Sequence, residues 1–248
     1  MLKRSNWLLA VTMVVAGLAS GAAYAADLVK PFILANSASG DVATVAASTK
    51  QKLTDAGFEI VGSYSPYAGV ESIVFTNAEL KSAATKSERG GYGAAMRAAV
   101  TQVGGDVQVA YTNPIYWANA YRMASNLDGV SAKLKTALGN QKQYGTGDKE
   151  LTAEDMREYH YTVMMEYFDD PSDLASHGSH EAAVKAVEEN LAAGKAGTSQ
   201  VYKISLGKDT EGKEMTLFGV GLGGTGEKDC SGDKYIMDKI DKSDIRHS

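Results

Sequence analysis

Two histidines lie close together in the sequence and carry a side chain well suited to metal binding. His177 and His180 are three positions apart, with Asp173 and Glu181 nearby. Imidazole nitrogens and carboxylate oxygens are common ligands of zinc and related ions, so a surface metal site is one interpretation. Ser179 has the character of a helix N-cap, however, which would leave His177 in the preceding loop. Two histidines without a third ligand favour the simpler interpretation of polar loop residues.

His160 is the third histidine with a side chain that could do chemistry, as a general base. It lies within Tyr159 to Phe168, a stretch predicted as a strand, so it should point away from its two tyrosine neighbours. No Ser, Cys or Asp partner stands at a motif spacing from it, which favours a structural role. A metal-binding protein or a cofactor-free enzyme that uses His160, His177 or His180 is therefore the alternative hypothesis.

Other chemical motifs have simpler explanations. Gly221 to Gly226 (GLGGTG) matches a dinucleotide-binding fingerprint, but the 22 residues that follow are too few for the rest of that fold. Asp169 and Asp170 precede Pro171 and are typical of a turn. Cys230 is the single cysteine, so an internal disulfide is excluded. The sequence predicts no catalytic residue and no cofactor.

Aromatic residues offer a better indication of function, as a binding surface. In Gly105 to Met123 (GDVQVAYTNPIYWANAYRM) a turn, an alternating strand and an Asn-Pro step lead into a helix, where Trp117 and Tyr121 share a face. Tyrosine combines apolar area with a hydroxyl, which suits a groove for a small ligand. Regular helical spacing equally suits core packing, and we regard that interpretation as the stronger one. The predicted ligand-binding residues are Tyr64, Tyr67, Tyr111, Asn113, Tyr116, Trp117 and Tyr121.

The first 25 residues have the pattern of a cleavable signal peptide. Lys3 and Arg4 form a positive start, Trp7 to Ala19 is an apolar run of 13 residues, and small residues lead to a cleavage site predicted after Ala25. The run is shorter than the ~20 residues that a spanning helix needs, so we expect no membrane span in the mature form. The expected location is the periplasm.

Charge limits the classes of partner. The formal net charge of the 248-residue chain is −5, and it becomes −7 when Lys3 and Arg4 leave with the signal peptide. An acidic chain has no positive surface for nucleic acid or anionic membranes. The partners that remain are a small apolar molecule, a peptide or a partner protein.

Periodicity and turn residues predict the order β–α–β–β–α–β–β for the first half, followed by two helices. The predicted fold class is α+β, with mostly antiparallel sheet and helices packed on one face. Asn113 is a favoured N-cap and Pro114 a favoured first residue of the next helix. The predicted strands are Val29–Ala35, Phe58–Tyr64, Val70–Phe75, Arg97–Val103 and Val107–Tyr111, and the other predicted helices are Val42–Ala56, Ala78–Ser87 and Leu127–Leu138.

The order of elements begins again in the second half. A strand (Tyr159–Phe168), a helix ending at Ala193 and a hairpin (Val201–Leu206 with Met215–Leu222) precede a short helix at Tyr235–Ile240. We therefore predict two related units, at 26–138 and 156–248, joined by a linker at 139–155 after the signal peptide at 1–25. The second unit would lack its last hairpin, and its sheet edge would then be open to a partner strand.

Two stretches resemble a known family. Gly57-Phe58-Glu59-Ile60-Val61 and Val107 to Tyr116 (VQVAYTNPIY) resemble the bacterial family called domain of unknown function 302, whose members show a helix ending in Gly-Phe and a V-x-V-x-Y-x-[ND]-P-x-Y strand-to-helix step. The resemblance covers Val29 to Met123, and the second half resembles the matching region of longer secreted relatives. It implies a compact α+β unit with a mostly antiparallel sheet, and it implies no reaction. The function we expect is a non-enzymatic exported module that binds a small apolar ligand, a peptide or a partner protein.

Overall fold

A computed structural model of the chain describes residues 28–147, 149–223 and 232. The predicted signal peptide, Cys230, most of the Gly221–Gly226 motif and the predicted helix Tyr235–Ile240 lie outside these residues. No described helix is long and apolar enough to cross a membrane. The strands are β1 Phe32–Ser39, β2 Glu59–Tyr64, β3 Val70–Thr76, β4 Met96–Val103, β5 Asp106–Thr112, β6 Lys142–Tyr144, β7 Thr198–Lys208 and β8 Glu214–Leu222. The helices are α1 Val42–Asp55, α2 Ala78–Thr85, α3 Pro114–Ala120, α4 Asp128–Leu138, α5 Ala153–Arg157 and α6 His180–Ala192, with 3-10 turns at Gly90–Gly93 and Lys195–Gly197.

The main sheet has six strands in the order β2-β3-β4-β5-β1-β6, and every neighbouring pair is antiparallel. A tight turn at Gly104-Gly105 joins β4 to β5 and pairs Val103 with Asp106. Strand β1 lies beside β5, so that Ile33 faces Tyr111. The α+β prediction is therefore confirmed, as is the predicted order of elements from β1 to α4.

Helices α1, α2 and α4 cover one face of this sheet because each presents an apolar stripe at helical spacing. Asp41 caps α1, where its carboxylate accepts a hydrogen bond from the Thr44 amide at 2.9 Å. The stripe of α4 consists of Val130, Leu134 and Leu138, all buried. The sheet residues of the same core are Ile33, Ala35, Ile73, Phe75, Met96, Ala98, Val100, Val107, Val109 and Tyr111.

A second sheet, the hairpin β7–β8, packs near β2 on the face opposite the helices. Gly62 in β2 pairs with Val74, which points away from the helical core. A Cβ atom on Gly62 would overlap the carbonyl oxygen of Val201 in β7, so glycine permits this close approach. On the other strand of the hairpin, a Cβ on Gly221 would lie 2.8 Å from the Tyr64 ring. The two sheets therefore pack face to face and are in close contact at Gly62 and Gly221.

Among the described residues of the second half, one element differs from its prediction. Tyr159–Phe168 is not a strand but an irregular loop between α5 and α6. Its alternating pattern finds no pairing strand within the described residues, and the end of the loop is held by ion pairs instead. The helix that Ser179 caps and the hairpin form as predicted.

Residues 139–155, predicted as a linker, contain a strand and a helix. Strand β6 pairs with β1, Phe32 opposite Tyr144, and forms one edge of the main sheet. Helix α5 begins at a capping box in which Thr152 and Asp155 bond each other's backbone amides. The next residue after that box, Met156, is buried against α3.

Candidate functional site

A cavity of about 260 Å³ lies between the main sheet, the end of α3 and the β7–β8 hairpin. Its walls combine five aromatic rings, an arginine and a threonine with apolar side chains. The lining residues are Tyr92, Ala95, Met96, Arg97, Thr112, Trp117, Tyr121, Tyr202, Leu217 and Phe218.

Asn113 fixes the position of α3, and with it one wall of the cavity. Its side-chain oxygen accepts a hydrogen bond from the Ile115 amide at 3.2 Å, as an N-cap should. Its Nδ2 atom donates to the Lys30 carbonyl at 2.8 Å and to Gln143 Oε1 at 3.0 Å. Because Asn113 is only 2% exposed and its polar atoms are all engaged, it positions the helix and does not line the cavity.

Trp117 in α3 and Tyr121, the C-cap residue directly after α3, form one wall of the cavity. Their ring centroids are 5.4 Å apart, and the indole Nε1 of Trp117 donates to the Pro31 carbonyl at 3.0 Å. Tyr121 also contacts Tyr92, with centroids 5.7 Å apart. The rings thus make a continuous aromatic surface. Trp117 and Tyr121 were both predicted, whereas Tyr92, on the 3-10 turn Gly90–Gly93, was not.

The hairpin supplies the opposite wall through Tyr202 and Phe218. Tyr202 faces Gly219 across the two strands, and a Cβ at Gly219 would overlap the Tyr202 ring. The glycine therefore lets the ring lie flat over β8, an arrangement in which an aromatic side chain shields a strand glycine. The sequence does contain this signal, because a register of the hairpin about Asp209 to Gly212 would place the two residues opposite each other.

Arg97 is the single charged residue of the lining, and the sequence reasoning missed it. Its side chain is exposed on the cavity face of β4, beside Thr112, whose hydroxyl accepts a hydrogen bond from the Arg97 amide at 3.1 Å. Burial raises the pKa of Tyr121 and of Tyr202, while the positive charge of Arg97 acts in the opposite direction on both. Both phenols are therefore neutral near pH 7 and can donate a hydrogen bond to a ligand.

The other predicted binding residues lie elsewhere. Tyr111 is fully buried in the helical core, where its hydroxyl donates to the Gly139 carbonyl at 3.0 Å. Tyr116 packs against Met156, and burial, followed by the charge of Tyr159, raises the pKa of Tyr116 to about 12. Tyr64 packs against the hairpin, and Tyr67 is half-buried in the turn between β2 and β3.

A more open groove of about 410 Å³ continues from the cavity towards α6. It shares Tyr92, Leu217 and Phe218 with the cavity, so the two form one cleft. The apolar side of α6 faces this groove without being fully buried. The remaining apolar lining residues are Ala183, Val184, Val187, Leu206 and Met215.

The histidines are engaged separately. His177 lies exposed in the loop before α6. The Nε2 atom of His180 hydrogen-bonds the Thr216 hydroxyl at 3.0 Å, and a ring nitrogen of His160 contacts the Met165 carbonyl oxygen. Within residues 28–147, 149–223 and 232, no three His, Cys, Asp or Glu side chains are placed to hold a metal ion.

Asp169 and Asp170 form ion pairs that we call the clasp. Asp169 is only 4% exposed, and its Oδ2 accepts a hydrogen bond from Arg122 Nε at 3.0 Å. Its Oδ1 lies 2.8 Å from Arg122 Nη2 as an ion pair, without the geometry of a hydrogen bond. Asp170 binds Arg89 at 2.8 Å and accepts a hydrogen bond from the Tyr167 amide at 2.9 Å. The clasp holds the loop beside α3, where the Phe168 ring lies 6.1 Å from that of Trp117.

Comparison with known proteins adds no relative: no protein-family model matches the chain, and no curated protein matches its sequence. The interpretation of the site therefore depends on its own geometry.

Proposed function

We propose that the protein is an exported, non-enzymatic binding module and that the aromatic cavity is its ligand site. The ligand is a small molecule with a flat or extended apolar body. The observation that supports this most directly is the concentration of five rings, from three separate parts of the chain, around one cavity. Core packing alone would bring such rings into contact with each other and leave little space between them.

The lining has the composition of a small-molecule site. Such sites are concave and mostly apolar, with a few polar groups that fix the orientation of the ligand. Here Trp117, Tyr121 and Phe218 offer ring faces, and the neutral hydroxyls of Tyr121 and Tyr202 offer hydrogen bonds. Each Å² of apolar surface that ligand binding removes from water would contribute roughly 25 cal/mol to the free energy of binding.

Export and family membership belong to the same proposal. The positive start, apolar run and small residues before Ala25 support secretion to the periplasm. The residues from Val107 to Tyr116 support membership of the domain of unknown function 302 family, and the antiparallel α+β sheet is the fold that this membership implies. No reaction follows from either argument.

The proposed site is tested with N-phenyl-1-naphthylamine, a neutral apolar dye that fluoresces when it leaves water. We expect the mature protein to bind it at one site, and Trp117→Ala and Tyr202→Ala each to weaken binding by about tenfold, since each removes a wall of the cavity. Tyr161→Ala is the matched control, because Tyr161 is 73% exposed and lies outside the cavity. Equal dye binding by all four proteins would contradict the proposal.

The alternative of a metal protein or cofactor-free enzyme is tested on protein isolated from its own cells. Native mass spectrometry reads bound organic ligand, metal and oligomeric state together. A bound organic molecule that is lost in Trp117→Ala supports the cavity. Stoichiometric metal that is lost in His177→Ala or His180→Ala would replace our proposal with the alternative.

A further inference from the structure

We propose that the ligand of this cavity is an amphiphilic anion, and that Arg97 recognises its charged group. The ligand class is a carboxylate or similar oxyanion attached to an apolar body. This inference rests on the proposed function, since it takes the aromatic cavity as the site and adds the chemistry of the molecule bound there.

Arg97 differs from the other described arginines because its guanidinium has no hydrogen-bond or ion-pair partner among the residues that the structure describes. Arg89 and Arg122 bind the carboxylates of the clasp, and Arg157 donates to the Asn119 side chain and the Met123 carbonyl. In the described part of the chain, no carboxylate lies within 4.0 Å of the Arg97 guanidinium and no ring lies beneath it. A guanidinium has five N–H donors and is charged at any physiological pH, so this one retains its full capacity for an anion.

The surroundings of Arg97 favour an anion locally in a protein that repels anions overall. The cavity lining contains no acidic residue, although the chain has a formal net charge of −5. Arg97, Tyr121 and Tyr202 line the same cavity, and the charge of Arg97 lowers the pKa of both phenols against the larger effect of burial. Two neutral hydroxyl donors beside a guanidinium match the several lone pairs of an oxyanion.

The apolar part of the ligand has room to continue beyond the charged end. The cavity opens into the groove below α6 across Leu217 and Phe218. The lining of that groove includes the apolar side chains of Ala183, Val184, Val187, Leu206 and Met215, together with one cation and one anion, Arg89 and Glu214. The groove therefore extends the apolar surface that begins at the aromatic rings. An anionic head at Arg97 with its apolar body directed along the rings matches the charge of the cavity, in which Arg97 is the single charged lining residue.

Two dyes with the same ring system test the inference. 8-Anilinonaphthalene-1-sulfonate has the rings of N-phenyl-1-naphthylamine and adds one sulfonate, so the difference between them isolates the anionic group. We expect the wild-type protein to bind the sulfonate dye more tightly, and Arg97→Gln to weaken that dye by about tenfold while the affinity for the neutral dye stays within twofold. Arg97→Lys keeps the charge but not the planar fork, so its affinity for the sulfonate dye should lie between those of the wild type and of Arg97→Gln.

Lys135→Gln is the matched control for a lost surface charge. Lys135 is an exposed cation of α4, on the opposite face of the main sheet, and it does not line the cavity. We expect Lys135→Gln to leave the affinities for both dyes unchanged. A second measurement needs no variant. Raising the NaCl concentration should lower the affinity of the protein for the sulfonate dye and leave its affinity for the neutral dye unchanged.

The outcomes separate the two proposals. If both dyes lose affinity in Trp117→Ala but Arg97→Gln affects them equally or not at all, the cavity is a site and the anion inference is overturned. If neither dye responds to Trp117→Ala or Tyr202→Ala, the cavity itself is not the site. A sulfonate-dye affinity that falls equally in Lys135→Gln would show general charge attraction and would also overturn the role of Arg97.

Discussion

At the scale of single residues, the aromatic stretch divides between core and cavity in a way that residue type does not reveal. Tyr111 and Tyr116 are buried, whereas Trp117 and Tyr121 line the cavity. The i, i+4 spacing correctly predicted that the last two share a face. Which face meets the core depends on the contact of α3 with the chain before β1, and Asn113 sets that contact through long-range hydrogen bonds that the sequence does not display.

Asn113→Ala should destabilise the protein more than the loss of an ordinary helix cap. The change removes the cap of α3, leaves the Lys30 carbonyl without its Asn113 donor and removes one of the two donors to Gln143 Oε1, which keeps the Lys30 amide, so we expect a loss of about 2–3 kcal/mol. Asp41→Ala is the matched control, since it removes an exposed cap and should cost about 1 kcal/mol. Urea unfolding of both variants measures the difference, and equal losses would show that the buried bonds of Asn113 contribute nothing.

Tyr116 should make the free energy of unfolding decrease as the pH rises above 10. Burial raises its pKa to about 12 in the folded protein, against about 10 in an unfolded chain. Between these values the unfolded phenol ionises while the folded one stays neutral, so the free energy of unfolding is intact below pH 10 and falls as the pH rises towards 12. Urea unfolding of wild type and Tyr116→Phe across this range should show a shallower decline in the variant. Parallel declines would assign the effect to other groups.

At the scale of elements, local pattern predicted most of the main sheet and failed where an element needs a distant partner. The helices α1, α2 and α4 carry their own caps or apolar stripes, and the β4–β5 hairpin carries its own turn. Tyr159–Phe168 has the alternation of a strand but no neighbouring strand to pair with in the described residues. The end of this loop is held by ion pairs with Arg89 and Arg122, which lie 47 or more positions earlier in the chain. A local sequence pattern does not predict such long-range ion pairs.

Arg122→Gln should release the loop that the clasp holds. The change leaves Asp169 buried without its ion-pair partner, and because Arg122 is partly exposed we expect a loss of about 1–3 kcal/mol. Hydrogen exchange should rise in 159–170 before it rises in the main sheet. Arg89→Gln is the matched control and should have a smaller effect, since Asp170 is the more exposed acid. Unchanged exchange in 159–170 for Arg122→Gln would show that the loop is held by its aromatic contacts alone.

At the scale of the whole molecule, the candidate site exists because two sheets meet. The sequence predicted the hairpin and the main sheet separately, together with two of the ten cavity residues, Trp117 and Tyr121. Their packing depends on glycines that admit a neighbouring backbone or ring, such as Gly62 against β7 and Gly221 against the Tyr64 ring. A glycine in a strand indicates a close approach but does not identify what approaches, so the cavity could not be assembled from the sequence.

Gly62→Ala should therefore weaken ligand binding in the cavity, although Gly62 does not line it. The added Cβ would meet the Val201 carbonyl, and a main-chain atom can give way only if the hairpin moves away from β2. We expect N-phenyl-1-naphthylamine binding to weaken by about tenfold or more and hydrogen exchange to rise in β7 and β8, because displacement of Tyr202 and Phe218 opens the wall they form. Gly105→Ala is the matched control, since a Cβ there meets no atom within 4 Å, and it should leave dye binding unchanged. If Gly62→Ala binds the dye as wild type does, the hairpin does not need its contact with β2 to hold the wall in place, and the site depends on α3 and β4 alone.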